Sequence, residues 1–312
     1  MSSKEKSYKV SIRLMTYMHE PYIKQAMDSV MEQEANFNIE VVVGDDFSTD
    51  QTLEIIKTYK DTENIHIKIL NREKGDEYWQ KRQKLGRLCN FTNILDNCSG
   101  VYIALLDGDD YWTDPLKLQK QVDFLEANPD YGICAHKTLQ SNQNSGVDME
   151  FPKIRQDEDF TLQDFIQANR IGTCSIVYKS NLFKALDWHT KSPFGDWLLT
   201  LSVMHNSNHK IRVFSSVMSL YRMHDGGIHG SLHQNKYKLS LAYQQHLRFI
   251  NLIQKELLYG KFKKTILKKK ITTSQKIKSL IFKKKQPFRF LKYQLLTFLY
   301  SIKLKFYSSY EN

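Results

Sequence analysis

The sequence predicts an α/β fold, a mostly parallel sheet flanked by helices, and three observations lead there. From Val10 to Leu70, apolar runs suited to buried strands alternate with stretches of helical apolar spacing. Two of the strand runs end in acidic turns, Gly44-Asp45-Asp46 and Asp107-Gly108-Asp109-Asp110. The chain has 312 residues with 41% hydrophobic and 25% charged content, enough for one large core and an appendage.

Val10, Ile12 and Leu14 alternate with Ser11, Arg13 and Met15 as the first strand. The loop Thr16 to Pro21 leads into a helix from Tyr22 to Gln33, with Ile23, Ala26, Met27, Val30 and Met31 at helical spacing. Ile39 to Val43 forms a second strand, and a helix starts near Gln51 with Ser48, Thr49 and Asp50 as N-cap candidates. Ile65 to Leu70 is the third strand. Strand-helix-strand-helix-strand implies right-handed crossovers and parallel pairing. Residues Asn71 to Lys84 are polar, a loop or short helix, and Leu85 to Asn97 is helical. Val101 to Leu106 is an unbroken apolar run, the pattern of a strand covered on both faces.

Leu116 to Asn128 reads as a helix with Leu118, Val122 and Leu125 inward and Lys117, Lys120 and Glu126 outward. Tyr131 to His136 is a short strand and Ser141 to Asp159 a polar surface loop. A strand over Thr173 to Tyr178 and a helix over Asn181 to Leu186 follow. Phe194-Gly195-Asp196-Trp197 opens another helix, with Asp196 near its N-terminus, where the dipole favours a carboxylate. Arg212 to Tyr221 is the last strand, running into Arg222, Met223 and His224.

In a parallel sheet both acidic turns leave the same edge, the edge at which open α/β sheets bind ligands. Three carboxylates in four residues repel one another unless a cation offsets them, and hard divalent ions take carboxylates together with substrate phosphates. The competing reading is an acidic surface turn. A calcium-binding EF-hand is disfavoured, because Trp112 and Leu118 stand where its Gly and Glu belong. Neither GxGxxG nor GxxxxGK[ST] follows the first strand, which disfavours dinucleotide and P-loop binding. Cys89, Cys98, Cys134 and Cys174 have no CxxC spacing, and His224, His229 and His233 lie among glycines, so zinc is not expected.

Five segments together resemble the family 2 glycosyltransferases, inverting nucleotide-sugar enzymes of the GT-A (Rossmann-like) fold. They are Val10-Ser11-Ile12 with Thr16-Tyr17, Gly44 to Asp50, Leu106 to Asp110, Gly195 to Leu198, and Tyr221 to His224, and the likeness runs from Tyr8 to Ser231. Arg13 stands where the family commonly has an apolar residue, Met18 where it has Asn, and Gly195 where it has Glu. The resemblance implies an enzyme of bacterial surface-glycan type, moving a sugar from a nucleoside-diphosphate sugar to a hydroxyl acceptor, a lipid-linked or surface polysaccharide precursor. It implies Asp196 as general base and Mg²⁺ or Mn²⁺ at Asp107, Asp109 and His224. Thr16, Tyr17, Glu20, Asp45, Asp46, Arg87, Asn90, Asp107, Gly108 and Arg222 would bind the nucleotide-sugar. The alternatives are a sugar-phosphate nucleotidylyltransferase, whose Gly-rich loop is missing after the first strand, and a non-catalytic membrane-associated nucleotide-sugar binder.

Charge divides the chain. Fifteen of the 45 basic residues but one of the 34 acidic ones lie from residue 257 on, so this tail carries +14 and the rest −3. The expected organisation is a GT-A domain over residues 1–256 and a basic amphipathic tail over 257–312. Nucleic acid is not an expected partner, because the body is not basic. Phe288, Leu291, Leu295, Phe298 or Leu299, Ile302 and Phe306 recur at helical spacing among lysines, the signature of a helix lying in a membrane interface. A helix packed on the body is the competing reading. Tyr293 to Ile302, the longest uncharged stretch of the tail, is too short to span a bilayer. With no apolar signal core in Met1 to Lys9, the expected location is cytoplasmic, peripheral at the cytoplasmic face of the inner membrane.

Overall fold

A computed structural model describes residues 7–143, 145–224, 236–258, 261–281 and 286–309. The first half builds β1 (Val10–Thr16), α1 (Ile23–Met31), β2 (Ile39–Asp45), α2 (Thr52–Lys57), β3 (Ile65–Ile69), α3 (Glu77–Leu85), α4 (Leu88–Asp96) and β4 (Tyr102–Asp107). Then come β5 (Tyr111–Trp112), α5 (Lys117–Ala127), β6 (Ile133–Asn142), β7 (Val147–Phe151), β8 (Glu158–Thr161), α6 (Leu162–Gln167) and β9 (Val177–Lys179). The rest is α7 (Gly195–His205), β10 (Lys210–Met223), α8 (Lys236–Glu256), α9 (Lys263–Leu280) and α10 (Pro287–Ser309).

Among the described residues one ten-stranded sheet runs β3-β2-β1-β4-β9-β6-β10-β5, with β7 on β6 and β8 on β10. Strands β3, β2, β1 and β4 are parallel, as the helical crossovers between them demand. The far half is mixed, because the short β9 lies antiparallel between β4 and β6. Period-2 alternation divides the core. Tyr102, Ala104 and Leu106 of β4 join Val10, Ile12 and Leu14 of β1 and Ile23 and Met27 of α1 on one face. Ile103 and Leu105 join Leu88 and Phe91 of α4 and Trp197 and Leu198 of α7 on the other. The second core extends through Phe249, Ile250 and Ile253 of α8 to Leu257, Leu258 and Ile266.

Four expectations from sequence change. Residues 141–159 are not an irregular loop: β7 pairs with β6, and β8 pairs with β10. Their polarity marks exposed outer strands rather than missing structure, since Val147 to Glu150 are all exposed. Of the predicted strand Thr173 to Tyr178 only Val177 and Tyr178 lie in a strand, β9 (Val177–Lys179), after a 3₁₀ turn at Thr173–Ser175. The predicted helix over Asn181 to Leu186 is reduced to a single 3₁₀ turn, Ser180–Leu182. Lys117 points inward and is fully buried, its ammonium 4.2 Å from the centre of the Trp112 ring.

Candidate active site

The site begins as a register. In the ladder Thr16 lies opposite Asp45, and Met15 lies opposite Asp107, so β1, β2 and β4 end together. Both acidic turns and the loop after β1 therefore share one edge of the sheet. That loop is sewn to the segment before α2. Met18 N donates to Ser48 Oγ at 2.9 Å, His19 N to Thr52 Oγ1 at 2.8 Å, and Gln51 N to Glu20 Oε2 at 3.1 Å. Ser48 is thereby used across the loop instead of capping α2, and Thr49 donates to the Met18 sulfur. Met18 and Phe47 both adopt positive φ, 56° and 65°, a conformation that is uncommon for bulky residues and that Asn tolerates better. The Asn typical of the resembling family at position 18 thus has a backbone reason.

Asp45 accepts from Ser48 N at 2.8 Å and Ser48 Oγ at 2.5 Å, while burial pushes its carboxyl above the usual range. Asp46 receives Arg82 Nε at 2.8 Å and the Tyr78 hydroxyl at 3.0 Å. Arg72 lies 3.8 Å from the Tyr78 ring centre and donates to Asp45 O, Asn90 Oδ1 and Asn93 Oδ1. Asn90 is buried and also donates to Gly44 O at 2.9 Å, so it braces the end of β2 from beneath. Arg72, Tyr78 and Arg82 escaped the sequence reading. Their only signal was two arginines and an aromatic in an otherwise hydrophilic stretch, and their partners lie 18 to 36 residues away.

Each aspartate after β4 has a different neighbour. Arg13 Nη2 stands 2.8 Å from Asp107 Oδ1, with the guanidinium 4.9 Å from the Phe91 ring centre. Low-dielectric surroundings raise the Asp107 carboxyl and Arg13 opposes that rise, although 24% of the side chain stays open to the crevice. Asp109 Oδ2 meets His224 Nε2 at 3.2 Å and His19 Nε2 at 3.7 Å. Burial works against the Asp109 anion, but the two imidazoles outweigh it and hold the carboxyl below its ordinary value. Asp110 is buried, accepts from Arg222 N at 2.9 Å, and leaves Oδ2 without a partner. Burial first, then Asp109 and Asp107, push its carboxyl well up, toward the neutral acid.

The repulsion among these carboxylates is opposed by the Arg13 guanidinium at Asp107, by the imidazoles of His19 and His224 beside Asp109, and by the Arg222 N–H donated to Asp110. Among the described residues no group of three or more His, Cys, Asp or Glu is arranged to hold a metal ion. Arg222 clamps this turn: it donates to Asp109 O at 2.5 Å and to Gln25, between the rings of Tyr22 and Tyr111. A Cβ on Gly108 would come within 2.9 Å of Thr16 Oγ1 and His19 Nδ1, so the turn packs directly on the loop after β1. Thr16 is buried there, beside His19, whereas Tyr17 is 57% exposed.

Asp196 lies in the first turn of α7, half-buried. Asn169 Nδ2 and Thr173 Oγ1 both donate to its Oδ2, at 3.0 and 3.2 Å. Arg87, bonded to Pro193 O at 2.5 Å, lies within charge range of both Asp196 and Asp107. Tyr221 likewise senses Asp196 together with Asp107, Asp109 and Asp110. The predicted residues therefore converge from β1, β2, β4, α7 and β10. His229 and His233 lie outside the described residues.

A sequence model described as Glycosyl transferase family 2 matches residues 11–187, so Asp196, Arg222 and His224 fall beyond the matched stretch. The chain is 31% identical over 238 residues to an uncharacterised protein of Mycobacterium tuberculosis, covering 73% of this chain and 63% of that protein. It is 22% identical over 262 residues to the GalNAc(5)-diNAcBac-PP-undecaprenol beta-1,3-glucosyltransferase of Campylobacter jejuni, covering 82% of this chain and 79% of that enzyme. The crystal structure of S. aureus TarS 1-349 in complex with UDP-GlcNAc matches with a TM-score of 0.55 and 19% identity, over 94% of this chain and 89% of that one. The chain spans 63%, less than two-thirds, of the length of the mycobacterial relative. With the family match spanning more than half its length, from β1 past β9, the chain belongs to glycosyl transferase family 2.

Proposed function

We propose that this protein transfers one sugar from a nucleoside-diphosphate sugar to a hydroxyl acceptor, with inversion at the anomeric carbon. The observation that carries the reading is the convergence of Asp107 and Asp109 at the end of β4 with Asp196 at the start of α7, with Arg87 and Tyr221 close to both. With Oδ2 of Asp196 occupied by Asn169 and Thr173, Oδ1 is the oxygen that accepts the proton from an acceptor hydroxyl. A single displacement with one base needs no covalent nucleophile. Asp45, Asp46 and the loop Thr16 to Glu20 line the side on which the nucleoside sits, and Arg87 faces the sugar between Asp107 and Asp196.

In this reading Asp107, Asp109 and His224 are the residues that would hold Mg²⁺ or Mn²⁺, although among the described residues they are not arranged as a ready-made metal site. Asp109 Oδ2 is already shared by two imidazole nitrogens, and Asp109, His224 and the open edge of Asp107 leave positions for diphosphate oxygens. When bound, the ion supplies charge neutralisation for the departing diphosphate. The TarS complex makes a uridine nucleotide-sugar the first donor to test, and the Campylobacter relative's name points to a lipid-linked acceptor. In this reading the enzyme works peripherally at the membrane, in surface-polysaccharide synthesis.

The test is Asp196→Asn, read by release of nucleoside diphosphate in the presence of acceptor and by binding of the donor. Turnover is expected to fall about 10²–10⁴-fold, the usual contribution of a general base, with donor affinity unchanged. Wild-type turnover in that variant would overturn the assignment.

A further inference from the structure

Helix α10 has two apolar faces. On one, Phe290, Tyr293, Leu296 and Tyr300 pack with Leu247 of α8 and with Ile277 and Ile281 at the end of α9. On the other, Phe288, Leu291, Leu295, Phe298, Ile302 and Phe306 are 86%, 57%, 57%, 61%, 49% and 57% exposed. At about 100° per residue these six positions fall in one stripe roughly 80–100° wide, opposite the packed face. The stripe runs about 27 Å along the helix, at 1.5 Å per residue. A contiguous apolar surface of this kind marks an interaction site rather than scattered surface residues.

Charge identifies what covers it. The sequences of α9 and α10 hold seven and four Lys or Arg and no Asp or Glu. Lys292, Lys303 and Lys305 flank the stripe on its two sides. Two copies meeting through it would bring like charges together, which is unfavourable. An anionic bilayer offers an apolar interior and negative headgroups at once, and each nearby Lys or Arg adds about 1 kcal/mol of attraction. No helix among the described residues is long and apolar enough to cross a membrane, so contact in the plane of the surface is the geometry that remains for α10.

We propose that the outer face of α10 is an in-plane anchor for anionic lipid, an inference that deepens the peripheral-membrane part of the function proposed above. The anchor is joined to the acceptor side of the site. Gln167 at the end of α6 donates to Thr265 O at 2.8 Å and accepts from Lys269, and two residues later Asn169 holds Asp196. Phe249 of α8 packs on Phe194 and Trp197, which flank Asp196 in sequence. Adsorption through α10 therefore places the base Asp196 on the same helical block that touches lipid, where a lipid-linked hydroxyl is delivered.

The experiment is co-sedimentation of the full chain with vesicles of phosphatidylcholine alone or with one-third phosphatidylglycerol. Wild type is expected to bind the anionic vesicles, less so at high salt. Leu295→Glu with Phe298→Glu is expected to weaken binding at least ~10-fold, consistent with the loss of two buried apolar side chains, and Lys303→Glu with Lys305→Glu to weaken it and reduce its salt dependence. Both variants should keep the melting temperature and the donor-induced thermal shift of wild type, which separates loss of the anchor from misfolding and from failure of the donor reading. Absence of vesicle binding by wild type would overturn the proposal, as would equal binding by the Leu295/Phe298 variant. So would a wild-type dimer abolished by those substitutions, which would assign the face to a contact between copies.

Discussion

Arg13 lies fully buried on β1, where its Nη2 stands 2.8 Å from Asp107 while Nε and Nη1 find no hydrogen-bond acceptor. The Asp107 carboxylate is what offsets the burial of this guanidinium, because a buried cation costs several kcal/mol unless its partner compensates. Lys117 is the contrasting case. Its ammonium is fully buried with no acceptor, and desolvation drags it down to about 7. In the unfolded chain the same group titrates near 10.5, so between pH 7 and 10.5 the unfolded state binds more protons and stability rises with pH. Lys117→Met is expected to raise stability at pH 7, by about 1–4 kcal/mol for an apolar side chain replacing a buried charge, and to flatten the dependence between pH 7 and 10, read from urea melts across that range. An unchanged pH slope would mean that the ammonium reaches water.

At the scale of elements, the joint between β2 and α4 is the tightest near the site. Gly44 precedes Asp45, and a Cβ there would come within 2.4 Å of Ile94 and 2.7 Å of Asn90 Oδ1. Gly44→Ala is expected to cost about 1–3 kcal/mol by overpacking, measured by chemical denaturation, and to shift Asp45 relative to Asp107. Helix α3 is held differently. It has no buried residue, its cap is Asp76 accepting from Trp79 N, and its hold on the sheet edge is Arg82 and Tyr78 on Asp46. Polar tethers of this sort give little hydrophobic stabilisation, so this helix belongs to the part of the fold that opens most easily. Its existence was legible only as a polar stretch, because a helix without an apolar stripe leaves no periodic signal.

For the whole molecule, the tail is not an independent appendage in its packing. Leu257, Leu258 and Ile266 are buried with Phe249, Ile250 and Ile253 in the core beneath α7. Removing residues 257–312 is therefore expected to lower the melting temperature sharply and to cause aggregation. Removing 287–312 should leave the core folded, because the buried apolar contacts of α10 are made with Leu247 of α8 and with Ile277 and Ile281 of α9, in a cluster separate from the core beneath α7. Comparing the two truncations by thermal denaturation checks this, and equal melting temperatures would contradict it. The charge split of the sequence, +14 against −3, accordingly describes a surface and not a folding unit.

What the sequence determined by itself was local and periodic. The alternation of strand and helix, the parallel half of the sheet, and the shared edge of Asp45, Asp46, Asp107 and Asp109 followed from it, since parallel strands joined by crossovers must end on one side. The apolar stripe of α10 was equally legible, because helical spacing is written along the chain. The tertiary structure alone decided which partner each charge has. Arg13 meets Asp107, Arg82 meets Asp46, and Asn169 and Thr173 meet Asp196, across separations of 23 to 94 residues. It also turned Lys117 inward and made strands of residues 147–151 and 158–161. Such contacts depend on the approach of distant elements in space, and no periodicity in the chain encodes them.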